Sequence, residues 1–362
     1  MGKPVAGDTL TFPNKRILEE NNQVAQKSYR SLVLSKLFHD KIAVGAILLL
    51  LFVLSITLAA PWIGVNVLGF DPLDTNLRLR NKPPTWAADS WPLFQEFTNT
   101  CQSDGDCDWS MWGEIFSESA IGLRACFVSG VGDCHWLGTD QAGRDVLTRG
   151  IYGGRISLRI GVYVAFISMT LGVFLGLVSG YYAATAIDDI INAVIMMLSS
   201  IPLLFLLIIL ARIFQPGPEG LALIIGVFGW MGISRLIRGQ IFTIREREYI
   251  LASQAIGCSP WRLIFRHVLP NVSSIVIVAA VFGVAGAILA EASLSYLGVG
   301  IGPPLPSWGN MMQGSLGNFT DAPWLVITPG IFIFMTTLSI YLIGDGLRDA
   351  LDPWVKGQMK QK

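Results

Sequence analysis

From Ile160 to Ile187 not one side chain carries a charge. A helix of that length outreaches the roughly 30 Å hydrocarbon core of a bilayer at about 1.5 Å per residue. Four more runs of this kind follow the same rule: Ile42–Ala60, closed by Pro61-Trp62; Ile190–Ala211, interrupted only by Asn192 and Pro202; Val272–Ala290, ending at Glu291; and Trp324–Gly344, ending at Asp345. A sixth, Gly220–Ser234, is short for a span, but Arg235 can snorkel toward the interface and the helix can continue past it. Charged residues are 14% of the chain, against about 25% in soluble domains. Twenty-six basic residues balance 26 acidic ones, without the basic excess of a nucleic-acid binder. The predicted fold class is therefore an all-α membrane protein with six transmembrane helices. Forty-odd residues precede the first run, which is also longer than a cleavable signal's apolar stretch of about 7–15, so it reads as a retained signal-anchor.

Small residues recur four apart within the spans, as Gly172, Gly176 and Gly180, with Gly283 near Gly286. Lipid gives helices no hydrophobic reason to associate, so such spacing marks close backbone approach in a packed bundle. Orientation follows from Lys and Arg near the spans. Basic residues gather at Lys15–Lys41, at Arg235–Arg266 and at Arg348–Lys362, whereas segments 213–219 and 296–323 contain none. Six spans place both termini and the 245–271 segment in the cytoplasm. Arg144, Arg149, Arg155 and Arg159 dissent, on the outer side. The expected division is a cytoplasmic segment 1–41, a first transmembrane helix 42–62, an extracytoplasmic loop 63–156, a five-helix core 157–345 and a cytoplasmic tail 346–362.

The 63–135 stretch holds ten acids, four bases and four of the five cysteines: Cys101, Cys107, Cys126 and Cys134. An even number confined to one external loop predicts two disulfides, with the local pairing Cys101–Cys107 and Cys126–Cys134 preferred. Spacings of five and seven residues fit zinc poorly. Cys258 is expected to be a free cytoplasmic thiol.

Between Arg245 and Asn271 the chain reads as two short helices. The first, about Glu246–Ile256, stops at Gly257, a favourable residue just past a helix end. Ser259 then caps a second helix that begins at Pro260 and ends at Pro270. Trp261 supplies apolar surface, while Arg262, Arg266 and His267 supply charge. Such a pair is a docking surface or, alternatively, an interfacial pair lying on headgroups. Asp188 and Asp189 open the third span, where a helix N-terminus favours negative charge. Glu291 ends an apolar run, either lining the path or gate or standing at the outer interface. Asp345, Arg348 and Asp349 can pair along one helix face.

Ala252, Gly257 and Leu269-Pro270 share the spacing of the coupling loop of ATP-binding-cassette import permeases, which this chain resembles, although Leu251, Ser253 and His267 depart from the general pattern. The dipeptide/oligopeptide/nickel branch is matched further by Leu137-Gly138-Thr139-Asp140 with Gly143-Arg144-Asp145, by Glu291–Gly300 with Pro303–Asn310, and by Gly344–Asp349 with Leu351-Asp352-Pro353. The resemblance implies the six-helix type I importer fold and a subunit forming half of a translocation path for di- or oligopeptides, nickel or oligosaccharides being the alternatives. It implies as partners a second, similar permease, two ATP-binding subunits and an external binding protein, in a bacterial inner membrane. It assigns Ala252, Gly257, Ser259, Pro260, Trp261, Arg262, Arg266, His267, Leu269 and Pro270 to the ATPase-coupling loop. The chain itself contains no Gly-x-x-x-x-Gly-Lys-Ser/Thr phosphate loop, so ATP and magnesium are expected on partner subunits. No catalytic, cofactor or metal site is expected here. A self-sufficient secondary transporter would need more coupling carboxylates within its spans than Glu291. A membrane-anchored enzyme built on the 63–135 loop lacks a nucleophile–base pair.

Overall fold

A computed structural model describes residues 29–88 and 134–351, together with positions 90–93, 95, 96, 111, 114, 115 and 117–120. Cys101, Cys107 and Cys126, the 1–28 segment and the tail from 352 lie outside the described residues. Cys134 is buried and has a partner, but the predicted pairings rest on positions outside that set.

The regular structure among the described residues is helical, apart from one isolated β-bridge between Thr139 and Asp145. A short α1 (Tyr29–His39) leads into α2 (Lys41–Leu58), whose start is capped by Asp40, with the Ile42 N–H donating to Oδ1 at 2.9 Å. Farther along the chain come α3 (Val146–Tyr181), α4 (Ala186–Ser199), α5 (Leu203–Phe214) and α6 (Pro218–Arg245). Then follow α7 (Glu248–Ala255), α8 (Pro260–Leu263), α9 (Leu269–Tyr296), α10 (Trp308–Met311) and α11 (Trp324–Leu351). Five helices are long and apolar enough to cross a membrane, or six spans if α4 and α5, bent by 79° about Ser200–Pro202, count as one.

Helix α3 is the central column. It begins 14 residues before the uncharged run, because Asp145 caps it by accepting from the Thr148 N–H at 2.7 Å. It also stops earlier than that run, at Tyr181, since Ala184 adopts a left-handed conformation (φ +63°) that closes a turn before α4. The short fourth run proves to be a full helix that carries on ten residues past Arg235 to Arg245.

Gly172, Gly176 and Gly180 of α3 face Ile233, Ile237 and Ile241 of α6, each set spaced by one turn. A Cβ on those glycines would lie 2.7, 2.9 and 2.8 Å from the respective isoleucine Cβ atoms. Both series ascend together, so α3 and α6 run parallel. The chain must therefore return between them, and the bent α4–α5 pair makes that crossing. The start of α2 lies against the end of α11, where Ala43 meets Gly346. Leu236 and Gln240 of α6, Ser274 and Ile275 of α9, and Arg348 of α11 line one recess of about 460 Å³. The beginning of α2, the 245–271 segment and the end of α11 thus share one side of the bundle. On the other side, the buried Trp308 donates its indole N–H to the Gly150 carbonyl at 2.8 Å and stacks on Phe332.

Filling the seam tests its tightness. Gly176→Leu is expected to force α3 from α6 and cost about 1–3 kcal/mol, read as a lower thermal midpoint in detergent. Gly232→Leu, on open ground with nothing within 4 Å of an added Cβ, is the control; equal shifts for the two would dismiss the seam.

Candidate functional site

Helix α7 ends in a paired-bond turn: the Gly257 N–H donates to the Gln254 carbonyl at 2.9 Å and the Cys258 N–H to Ser253 at 3.1 Å, with Gly257 at φ +84°. Ser259 stands at the start of α8, where its backbone carbonyl accepts from the Leu263 N–H at 3.0 Å, but the expected serine cap is absent, since its side chain makes no cap bond. Pro270 does not end this helix. Residues Ile264–Val268 widen into a single π turn, and α8 runs through it into α9 as one 37-residue helix from Pro260 to Tyr296. The wider turn leaves room for a residue that has no N–H to give and whose ring would clash in a regular turn.

The segment has two faces. Ile250, Leu263, Ile264 and Val268, each at most 1% exposed, pack with Leu177 of α3, Ile237, Ile241 and Ile244 of α6, and Val272 of α9 in one cluster. Burying each such side chain contributes about 1.5–3 kcal/mol, so both short helices are fixed to three long ones. The opposite face is open. Tyr249, Leu251, Ile256, Trp261 and Phe265 are exposed, Ile256 by 86%, beside exposed Arg262 and Arg266. Ala252, Gly257, Ser259, Pro260 and Pro270 lie on this open side, whereas His267 and Leu269 are half-buried. Trp261 stacks between Phe174 of α3 and Phe265. Cys258 is a free thiol, partly buried against the cluster.

Next to this cluster lies a charge network that the reading of Asp188 as a simple helix-end acid missed. Asp188 is buried, and both its oxygens accept from Arg238 of α6 at 2.7 Å. Ser179 of α3 and Asn192 of α4 also donate to it, at 2.5 and 2.6 Å. The Arg238 guanidinium lies 4.6 Å over the Phe242 ring. One carboxylate therefore joins α3, α4 and α6. The available signal was an arginine near the end of an apolar run facing an acid at the start of another.

Glu291 is fully buried and faces serines. It accepts from Ser157 of α3 at 2.8 Å and from Ser295 at 2.7 Å, while the Ser157 hydroxyl also accepts from the Trp308 N–H at 3.3 Å. This knot ties α9 to α3 and to the loop before α10. Three of the dissenting outer arginines are paired: Arg144 with Asp140 at 2.7 Å, Arg149 with the same carboxylate at 3.4 Å, and Arg159 with Glu219 at 3.3 Å. Among the described residues no group of three or more His, Cys, Asp or Glu is arranged to hold a metal.

A family model for the binding-protein-dependent transport system inner membrane component matches residues 172–357. A dipeptide transport system permease protein of Alkalihalophilus pseudofirmus is 39% identical over 222 residues, covering 61% of this chain and 73% of that protein. An oligopeptide transport system permease protein of Bacillus subtilis is 39% identical over 219 residues, 60% of this chain and 72% of the relative. A glutathione transport system permease protein of Pectobacterium atrosepticum is 37% identical over 227 residues, with coverages of 63% and 75%.

The network predicts an asymmetry between adjacent acids. Asp188→Ala leaves Arg238 without its partner, and breaking a buried pair from one side costs about 3–5 kcal/mol. Asp189→Ala, at an exposed position, is expected to stay within about 0.5 kcal/mol of the parent. Thermal unfolding of the purified variants separates the two, and comparable losses would rule out the network as the anchor of α4.

Proposed function

The chain belongs to the family of binding-protein-dependent transport system inner membrane components, and on that premise we propose that it is a permease subunit of an ATP-driven peptide importer. Relatives named for dipeptides, oligopeptides and glutathione support a short peptide as the solute. In this reading the chain forms half of the path, beside a second, similar permease. Two ATP-binding subunits hold ATP and magnesium, and an external protein delivers the solute. The observation that carries the reading is the two-faced coupling segment: one face is locked into α3, α6 and α9, and the other presents exposed aromatic and basic side chains. Closure of the ATPases pushes on the open face, and the buried face passes that displacement into the bundle.

The side carrying the segment is then cytoplasmic, and both ends of the described bundle lie with it. The opposite side, with Trp308 and the 63–135 loop, faces the delivery protein in this bacterial inner-membrane setting. Cys101–Cys107 and Cys126–Cys134 are the pairings proposed for that oxidising side; peptide mapping without reductant is expected to recover both, and reduced thiols at these positions would exclude them.

Purification of the chain from its native membrane is expected to bring two ATPases and a second permease with it. Chain recovered alone and transporting without ATP would reject the importer. Within the complex, Trp261→Ala and Gly257→Pro are expected to lower solute-stimulated ATP hydrolysis by about tenfold or more while the purified subunits remain together. Proline cannot adopt the positive φ of Gly257, and unaltered stimulation in both variants would refute the docking role.

A further inference from the structure

One face of the bundle carries two exposed polar features within its spanning segments. The first is the break between α4 and α5, where Ser200, Ile201 and Pro202 are all exposed. Backbone freed from helical bonding at membrane depth must lie against protein or water. The second is Arg235 on α6, exposed and ten residues before that helix ends, about 15 Å along its axis.

Arg235 does not reach toward the Arg245 end, as snorkelling would require. Its Nη2 donates to the Ser199 hydroxyl in the last turn of α4 at 2.5 Å, and that hydroxyl donates in turn to the Met231 sulfur at 3.7 Å. Met231 stands one turn farther from Arg245, so the guanidinium is drawn inward. Its neighbour Arg238 is neutralised by Asp188, but among the described residues no carboxylate lies within 4 Å of Arg235. With Asn192, Ile195, Met196, Ser199 and Ser200 it lines an open recess of about 510 Å³.

A charge within a spanning helix that has no carboxylate within 4 Å among the described residues calls for water or a polar partner, and an anion satisfies it best. We propose that this recess is a station on the solute path and that Arg235 receives the solute's carboxylate, which is a peptide's C-terminal carboxylate on the reading above, on which this inference rests. A guanidinium offers a carboxylate two parallel hydrogen bonds. The Ser199 tether sets the direction of the fork. Met196 supplies an adaptable apolar wall for side chains of different shape.

The test uses the assembled transporter in ATP-loaded proteoliposomes with its delivery protein, and two probes, trialanine and trialanine amide, each first shown to bind that protein. Arg235→Gln is expected to lower the ratio of acid to amide uptake by about tenfold or more, the range of a hydrogen bond to a charged group, and Arg235→Lys by less. Arg235→Cys, compared with the same complex carrying the native arginine, is expected to react with a water-soluble cationic thiosulfonate. Trialanine is expected to slow that reaction, and the attached charge to raise the acid-to-amide ratio again. An unchanged ratio in Arg235→Gln overturns the proposal. So does an intact Arg235→Cys complex that resists the reagent, which would place this face against lipid or a partner helix. Wild-type complex that takes up neither probe removes the peptide reading alone, and the labelling, which needs no uptake, still decides whether the recess is wet.

Discussion

Three isoleucines one turn apart on α6 rest against three glycines one turn apart on α3, and most of the architecture is a consequence of that contact. In a bilayer the apolar surface of a helix is as well solvated by lipid as by another helix, so association depends on how closely backbones approach. Missing side chains on one helix filled by branched ones on the other give that approach over three successive turns. Because the two helices run parallel, the connection must recross the layer, which requires a return path and produces the bent α4–α5 pair. Helix α9 then packs antiparallel on another side of α3, with Ile288 against Gly161.

In the proposed importer, the same seam would carry a push on the open face of the 245–271 segment to distant parts of the bundle. Ile237 and Ile241 contact the glycines of α3 on one side and belong to the cluster that holds Ile250, Leu263 and Ile264 on the other. A push on Trp261 is therefore met by core packing rather than by a loose loop. Packed cores resist continuous deformation and move as bodies. The unbroken helix from Pro260 to Tyr296 extends the lever to the far side of the bundle, where Glu291 grips Ser157 and the loop around Trp308. Asp188 and Arg238 hold the base of α4 to the same body, and its other end is tied to α6 as well, through Ser199 to Arg235 and Met231.

The spans were legible because lipid imposes one rule on every residue within them. The glycine series was legible too, since its spacing repeats the helical period. Local composition misled where a backbone event lacked a sequence mark. Ala184 takes a left-handed turn with neither glycine nor asparagine to announce it, so the end of α3 appeared to run on to Ile187. Pro270 looked like a stop because a proline is ordinarily one, and only the π turn before it, which has no sequence signature here, lets the helix pass. The uncharged run at Ile190–Ala211 concealed a 79° bend, for which Pro202 was the single clue. Asp188 was misjudged for a different reason: its partner is 50 residues away, and pairing over that distance is a property of the fold.

Charge placement follows from the same distinction between local and distant partners. Basic residues orient a membrane protein when they are free to interact with the membrane and its potential. Arg144, Arg149 and Arg159 appeared to contradict the assigned orientation, yet Arg144 and Arg149 share the Asp140 carboxylate, Arg159 meets Glu219, and all three follow a connection of more than about 60 residues, over which basic residues carry little orienting weight. The exposed Arg262 and Arg266 of the coupling segment have no such partner among the described residues, so they keep their weight on the side where the ends of the bundle also lie. Arg235 fits neither group. It is unpaired like the orienting arginines, yet it points away from the interface they mark and toward the middle of the bundle. A charge in that position calls for water or a polar partner beside it, and on the proposed path the assembled transporter supplies both at the broken-helix face.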